Sequence, residues 1–175
     1  MTKKLTVFTI GHSTHSIEEF IEILKHYKIK TVVDVRSIPR SRHNPQFNQA
    51  ALDESLKQHH IKYIHIKGLG GLRHAKKDSI NIAWRHPSFR GFADYMQTEE
   101  FTKYLKELIL EAEQKSTAIM CAEAVPWRCH RSLIADALVA LGIKVIEIIN
   151  MKSHKEHTLI PWAKVENEKV SYPQQ

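Results

Sequence analysis

Short apolar runs alternate with amphipathic segments along most of the chain. Runs rich in Val and Ile predict five buried strands, over residues 5–10, 29–35, 61–66, 117–120 and 143–149. Apolar residues at helical spacing predict helices over residues 16–27, 49–59, 92–115 (in two pieces) and 132–141. Because parallel strands need crossover connections, this order predicts an α/β fold. We expect a single domain with a mainly parallel five-stranded sheet and helices on both faces.

Local signals place the ends of two helices and separate a tail from the main body. Ser16 precedes two acidic residues and is a good N-cap, and Gly142 is suited to end the last helix. Residues 1–150 are predicted to form the α/β domain that carries all the motifs. Residues 151–175 are a polar tail, predicted to pack on that domain or extend from it. Trp162 is its expected docking point, and His154 and His157 are interpreted as mobile.

Polar and charged residues repeatedly follow the predicted strands. Ligands of open α/β sheets bind beyond the carboxyl ends of the strands, so these residues are the candidate site. They are Gly11, His12 and Ser13 after the first strand, Asp34 and Arg36 at the end of the second, and Cys121, Glu123, Arg128, Cys129, His130 and Arg131 after the fourth.

Several of these residues suit an anionic ligand. Guanidinium groups and helix N-termini match phosphate or carboxylate geometry, which makes Arg36, Arg128, His130 and Arg131 candidate anion ligands. Gly11 and Ser13 are expected to shape the pocket. Asp34 lies in an apolar strand and needs a partner, either Arg36 or Arg131. It then orients an arginine for the ligand or forms a structural ion pair.

Other residues of the same segments suit proton transfer or covalent chemistry. Glu123, if buried, is a candidate general acid or base together with His12. The alternative for Glu123 is an ion pair with Arg128 or Arg131. Cys121 and Cys129 are candidate nucleophiles if nearby positive groups favour the thiolate. The alternative for each cysteine is a small buried apolar side chain.

A metal site is a further alternative. Cys121, Cys129 and His130 could bind zinc with His12 or a histidine of the tail. Their spacing lacks the Cys-x-x-Cys knuckle of structural zinc sites, and 12 histidines make chance proximity common. No cofactor is therefore predicted, and zinc stays a minor hypothesis.

Composition narrows the class of protein. The 175 residues are 42% apolar, and no apolar run approaches the roughly 20 residues that span a bilayer. Two cysteines do not make a disulfide framework, so a cytoplasmic location with reduced thiols is expected. A formal charge of +7 favours anionic partners such as nucleotides or nucleic acid. The sequence does not predict an oligomeric state.

Two basic loops, residues 36–43 and 73–90, are candidate contact segments for nucleic acid. Trp84, Phe89 and Phe92 lie among or beside these charges. Such rings either stack on bases or pack on the protein core.

Five short motifs resemble a known family. They are Thr9-Ile10-Gly11-His12-Ser13, the segment from Asp34 to Ser41, Phe47-Asn48, Gly68-Leu69-Gly70-Gly71, and Cys121-Ala122-Glu123 with Cys129-His130-Arg131. Together the motifs are similar to the "domain of unknown function 488" family. The resemblance implies a single α/β domain with a site built from these motifs, and it implies no particular activity.

The leading hypothesis is an enzyme, a transferase or hydrolase, acting on a phosphorylated or otherwise anionic substrate such as a nucleotide or nucleic-acid component. Two alternatives stay open from the sequence. One is a nucleic-acid-binding module without catalysis, and the other is a metal- or redox-dependent protein that uses Cys121 and Cys129.

Overall fold

The computed structural model describes residues 4–174; residues 1–3 and 175, at the outer ends of the two predicted segments, lie outside the described part. The α-helices are α1 (Ile17–His26), α2 (Gln49–Gln58), α3 (Pro87–Tyr95), α4 (Glu99–Gln114) and α5 (Arg131–Ala140). The strands are β1 (Thr6–Gly11), β2 (Thr31–Asp34), β3 (Lys62–His65), β4 (Thr117–Cys121), β5 (Lys144–Asn150), β6 (Ser153–Glu156), β7 (Lys164–Glu166) and β8 (Lys169–Ser171).

The main sheet has the strand order β3-β2-β4-β1-β5-β6. The first five strands are parallel, which confirms the predicted α/β fold and its mainly parallel sheet. The sixth strand, β6, pairs antiparallel with β5 and was not predicted. All four of its residues are exposed, so it lacks the apolar alternation by which strands are recognised.

Helices cover both faces of the sheet, as predicted. On one face Phe92 of α3, Leu108 of α4 and Leu133 of α5 are fully buried against strand residues such as Val145. The other face packs α1 and α2 against the alternate strand residues. Because successive side chains of a strand point to opposite faces of the sheet, the same strands contribute to the apolar core on each face.

The predicted helix ends are also confirmed. The Ser16 hydroxyl accepts a hydrogen bond from the Glu19 amide at 3.1 Å, at the start of α1. Gly142 follows α5 with a φ of +82°, a left-handed conformation that favours glycine.

The tail packs on the domain. Trp162 lies half-buried with its ring 5.5 Å from that of Trp84, which confirms it as a docking point. The interpretation of His157 as mobile is wrong, because its side chain is buried between two carboxylates. Its Nδ1 lies 2.5 Å from Glu147 of β5, and its Nε2 lies 2.7 Å from Asp136 of α5. Tyr172 donates a third hydrogen bond to this cluster, to Asp136 at 2.7 Å.

This cluster predicts a contribution to stability that is lost in alkaline solution. Burial favours the neutral imidazole, but the bonds to Asp136 and Glu147 outweigh it and raise the pKa of His157 to about 9. The ordinary value in the unfolded chain is 6.5. The group therefore stabilises the fold fully below pH 6.5 and loses its contribution as the pH rises through 9. Because Cys121, whose pKa is lowered, gains stability over the same pH range, the loss is read from the difference between wild type and His157→Gln. That difference in unfolding free energy, measured by urea denaturation, should shrink by about 3 kcal/mol between pH 6 and 9.5.

The difference should therefore be largest at pH 6, whereas His43→Gln, at an exposed loop position, should differ from wild type by the same amount at pH 6 and 9.5. A difference between wild type and His157→Gln that is constant from pH 6 to 9.5 would contradict the assigned role of His157.

Candidate active site

A cavity of about 460 Å³ opens at the carboxyl ends of β2 and β4. Six of the residues singled out in the sequence line it: Arg36, Cys121, Glu123, Arg128, Cys129 and His130. Segments far apart in the chain therefore converge on one hollow, which has loop residues such as Leu72 and His86 on its other side.

Asp34 and Arg36 form a buried ion pair beside this cavity. Arg36 donates from Nε to one Asp34 oxygen at 2.9 Å and from Nη2 to the other at 2.7 Å. Tyr63 of β3 donates its hydroxyl to the same carboxylate at 2.5 Å. The predicted partner of Asp34 is thus Arg36 rather than Arg131. Since Nη2 also donates to the Phe47 carbonyl, most of the Arg36 donors are already occupied.

His12 lies behind Arg36 and is almost wholly buried. Its ring stacks on Phe47 with centroids 4.3 Å apart, and its Nδ1 lies 2.8 Å from the Ser13 carbonyl. That carbonyl can only accept, so Nδ1 carries the proton and Nε2 faces Arg36 Nη1 at 3.4 Å. Burial lowers the pKa of His12, which keeps the ring neutral. His12 therefore helps to position Arg36.

Gly11 and Ser13 hold the segment after β4 against the end of β1. The His12 and Ser13 amides donate to the Cys121 and Ala122 carbonyls, each at 2.9 Å. Gly11 approaches the Glu123 carbonyl so closely that any Cβ would overlap it. Gly11 and Ser13 do not line the cavity themselves, but they hold the backbone of Ala122 and Glu123, which do.

Arg131 is fully buried at the start of α5. Its Nε donates to the Cys121 sulfur at 3.0 Å, and its Nη1 donates to the Thr9 hydroxyl at 3.0 Å. Its Nη2 donates to the backbone carbonyls of Glu123 and Ala124 at 2.9 and 3.3 Å. In residues 4–174 this guanidinium meets no carboxylate, so the group that can neutralise it is the Cys121 thiolate.

The two cysteines of the site have different pKa values. Burial favours the neutral thiol of Cys121, but the neighbouring Cys129 and the positive charge of Arg131 lower its pKa to about 7. Burial raises the pKa of Cys129 well above its usual value, and the adjacent Cys121 adds to the effect. Cys121 is thus the candidate thiolate, and Cys129 remains a thiol.

His130 is neutral and ties three loops together. Its Nε2 lies 2.9 Å from the carbonyls of both Val35 and Leu69, so it carries the proton. Its Nδ1 faces the Cys129 sulfur at 3.5 Å. Burial lowers the pKa of His130 to about 4. Charge on this ring therefore does not attract an anion at neutral pH.

A comparison with models of known protein families identifies the family of this chain. Residues 16–138 match the family described as "Domain of unknown function DUF488". The chain belongs to this family. Comparisons with curated proteins and with solved structures find no match. The matched segment of this DUF488 protein contains Asp34, Arg36 and the whole stretch from Cys121 to Arg131. His12 lies outside it, and so do Glu147, His157 and Tyr172, whereas Asp136 lies inside it.

Glu123 and Arg128 are the exposed members of the DUF488 cavity. The Glu123 side chain is not buried, so the burial on which its proposed acid–base role was based is absent. Among residues 4–174 neither side chain has a salt-bridge partner. Arg128 is thus the guanidinium of the cavity that is free to meet a ligand. The first amides of α5 are used internally, since Arg131 and Ser132 donate to the sulfur and carbonyl of Cys129.

Sequence reasoning missed Thr9 and Tyr63 of this DUF488 protein. Both lie within predicted strands, and neither was given a role in the site. The sequence offered a signal for Thr9, which is a buried polar residue between Phe8 and Ile10 in a central strand.

Two of the alternatives from the sequence, a metal site and aromatic rings that stack on bases, concern residues that the structure describes. Residues 4–174 contain no group of three or more His, Cys, Asp or Glu side chains placed to hold a metal ion. The aromatic rings of the basic loop pack on the protein: Trp84 stacks on Phe89 at 5.0 Å, and Phe92 is fully buried. Within the same residues, no helix has the length and apolarity needed to cross a membrane.

Proposed function

We propose that this protein is an enzyme whose nucleophile is the Cys121 thiolate and whose substrate is a small phosphorylated or otherwise anionic molecule. The observation that carries the proposal is the contact of 3.0 Å between Arg131 Nε and the Cys121 sulfur. An arginine is charged at any physiological pH, and a buried charge without a counter-charge is strongly unfavourable. The thiolate is the acceptor that neutralises Arg131, which keeps Cys121 reactive near pH 7.

The rim of the cavity supports an anionic substrate. Arg128 is exposed and free of ion pairs within residues 4–174, and the guanidinium fork suits phosphate or carboxylate oxygens. Ile38 and Leu72 flank the same cavity with 53% and 72% of their surface exposed. These apolar side chains provide a surface for an uncharged part of the substrate, such as the base of a nucleotide.

The proposed chemistry is a transferase or hydrolase reaction through a covalent cysteine intermediate. The thiolate attacks an electrophilic centre next to the anionic group and displaces a leaving group. Glu123 is exposed, and its place in the lining of the same cavity is what supports it as the group that exchanges protons. It exchanges the proton with the leaving group and with the water or second acceptor that releases the product.

Alkylation by two reagents of equal size and different charge tests the proposal. We expect the alkylation rate of Cys121 to rise with pH around a midpoint near 7, following its pKa. Relative to a small free thiol, iodoacetate should react about 3-fold faster than neutral iodoacetamide, since an exposed charge pair contributes about 0.2–1 kcal/mol. Rates are measured by mass spectrometry of the cysteine peptides.

Arg128→Ala should abolish the preference for iodoacetate and leave the rate with iodoacetamide unchanged. Arg42→Ala, which removes an exposed arginine outside the cavity lining, is the matched control and should keep the preference. The proposal fails if Cys121 titrates at the pH of an ordinary thiol, or if wild-type protein shows no preference for the anionic reagent.

A further inference from the structure

Cys121 and Cys129 form a pair that shares one neighbour. The Cys121 sulfur accepts from Arg131 Nε at 3.0 Å, and the Cys129 sulfur accepts from the Arg131 amide at 3.5 Å. The two side chains are close enough that each shifts the pKa of the other. Both cysteines are free, and both line the same cavity. The two residues are only 2% and 7% exposed, so a small oxidant reaches their sulfurs from this cavity.

The surroundings of the two sulfurs suit them to different steps of an oxidation. Arg131 stabilises a negative charge on Cys121, and thiolates react with peroxides whereas thiols do not. Cys129 retains its proton and donates to His130 Nδ1, 3.5 Å away. An attacking thiolate beside a protonated second cysteine is the arrangement found where a first oxidation product is resolved to a disulfide.

We propose that Cys121 and Cys129 are a hydroperoxide-sensitive dithiol, which closes to a reversible disulfide within the cavity. This inference rests on the thiolate of the proposed function and not on its anionic substrate. The Cys121 thiolate attacks one peroxide oxygen, so that an S–O bond forms and the O–O bond breaks. The leaving alkoxide or hydroxide takes a proton from solvent and departs as alcohol or water. The Cys129 sulfur then attacks the sulfenic sulfur. An S–S bond forms, the S–O bond breaks, and the hydroxide leaves as water with the Cys129 proton.

The same contacts predict that the disulfide is easily reduced. Oxidation removes the negative charge that neutralises buried Arg131, while reduction restores it. A reduced form that is stabilised in this way makes the disulfide a comparatively strong oxidant of other thiols. Because Cys121 is consumed, the oxidised protein cannot use it as a nucleophile, and the disulfide inactivates the enzyme until a thiol reduces it.

Treatment of the full chain with hydrogen peroxide at pH 7 tests the inference. After free thiols are blocked, the wild-type protein should lose the mass of two hydrogen atoms, and peptide mapping should link Cys121 to Cys129. Cys129→Ser should instead gain oxygen atoms on Cys121, and Cys121→Ser should leave Cys129 unoxidised. Reduced glutathione should return the oxidised wild-type protein to the free dithiol.

Oxygen addition to wild-type Cys121 without the cross-link would overturn the inference, as would a disulfide between two chains. The wild-type mass and peptide map decide this even if a variant fails to fold. The two proposals fail separately. Iodoacetate preference without a disulfide removes only the dithiol, and a disulfide without that preference removes only the anionic substrate.

Discussion

Replacing Arg131 with methionine should slow the alkylation of Cys121 by iodoacetamide at pH 7 by about 50-fold, because about half of the thiol is ionised at pH 7 when its pKa is 7 and about 1% when its pKa is 9. The variant removes the positive charge that opposes burial, so the pKa of Cys121 should rise from about 7 to at least its ordinary value of 9. The measurement is the alkylation rate as a function of pH, with the labelled peptide identified by mass spectrometry.

Two controls separate charge from packing. Arg131→Lys keeps a positive charge in the same place and should retain most of the lowered midpoint. Arg128→Met removes an exposed guanidinium three residues earlier and should leave the midpoint near 7. Arg131→Met should also lower stability, because the Glu123 and Ala124 carbonyls lose their donor, so alkylation is measured where circular dichroism shows the native fold. A midpoint that stays near 7 in Arg131→Met would refute the thiolate–guanidinium pair.

Asp34→Asn should destabilise the fold by about 3–5 kcal/mol, the usual cost of removing one partner from a buried ion pair. Asp34 and Arg36 are 0% and 7% exposed, and Asp34 accepts from both Arg36 and Tyr63. The amide has one acceptor oxygen and no charge, so it leaves the buried guanidinium of Arg36 without a counter-charge. Urea denaturation followed by circular dichroism measures the change in unfolding free energy.

The matched control is Asp53→Asn, which makes the same chemical change at an exposed position of α2. A surface substitution of this kind should change stability by no more than about 0.5 kcal/mol. If Asp34→Asn costs less than about 1 kcal/mol, the pair is not the electrostatic support of the cavity wall.

Periodicity identified the elements of this protein because the central strands and the helices bury apolar side chains at regular intervals. The rule that ligands bind at the carboxyl ends of parallel strands then predicted that His12, Arg36 and Cys121 lie at one edge of the sheet. His12 lies 3.4 Å from Arg36, and Arg36 and Cys121 line one cavity. The exposed strand β6 was missed for the same reason: its residues are all exposed, so no apolar pattern marks it.

The roles of the charged residues did not follow from the sequence. Arg128 and Arg131 lie three residues apart in the same polar stretch, and both suit an anionic ligand. Only the packing shows that Arg131 is buried against Cys121 and Thr9 while Arg128 faces solvent. His130 likewise depends on the carbonyls of Val35 and Leu69, which come from two distant loops. Contacts between residues far apart in the chain decide the roles of Arg128, Arg131 and His130. The chemical type of a residue does not reveal those contacts.

By itself, the sequence determined the α/β fold, the edge of the sheet where reactive side chains gather, and the two cysteines, since these depend on local spacing and on general rules of sheet topology. The tertiary structure alone decided which of the two sulfurs has the lower pKa and that the pKa of His157 is raised. Protonation follows from burial and from the charges within a few ångströms, and those neighbours come from residues remote in the chain.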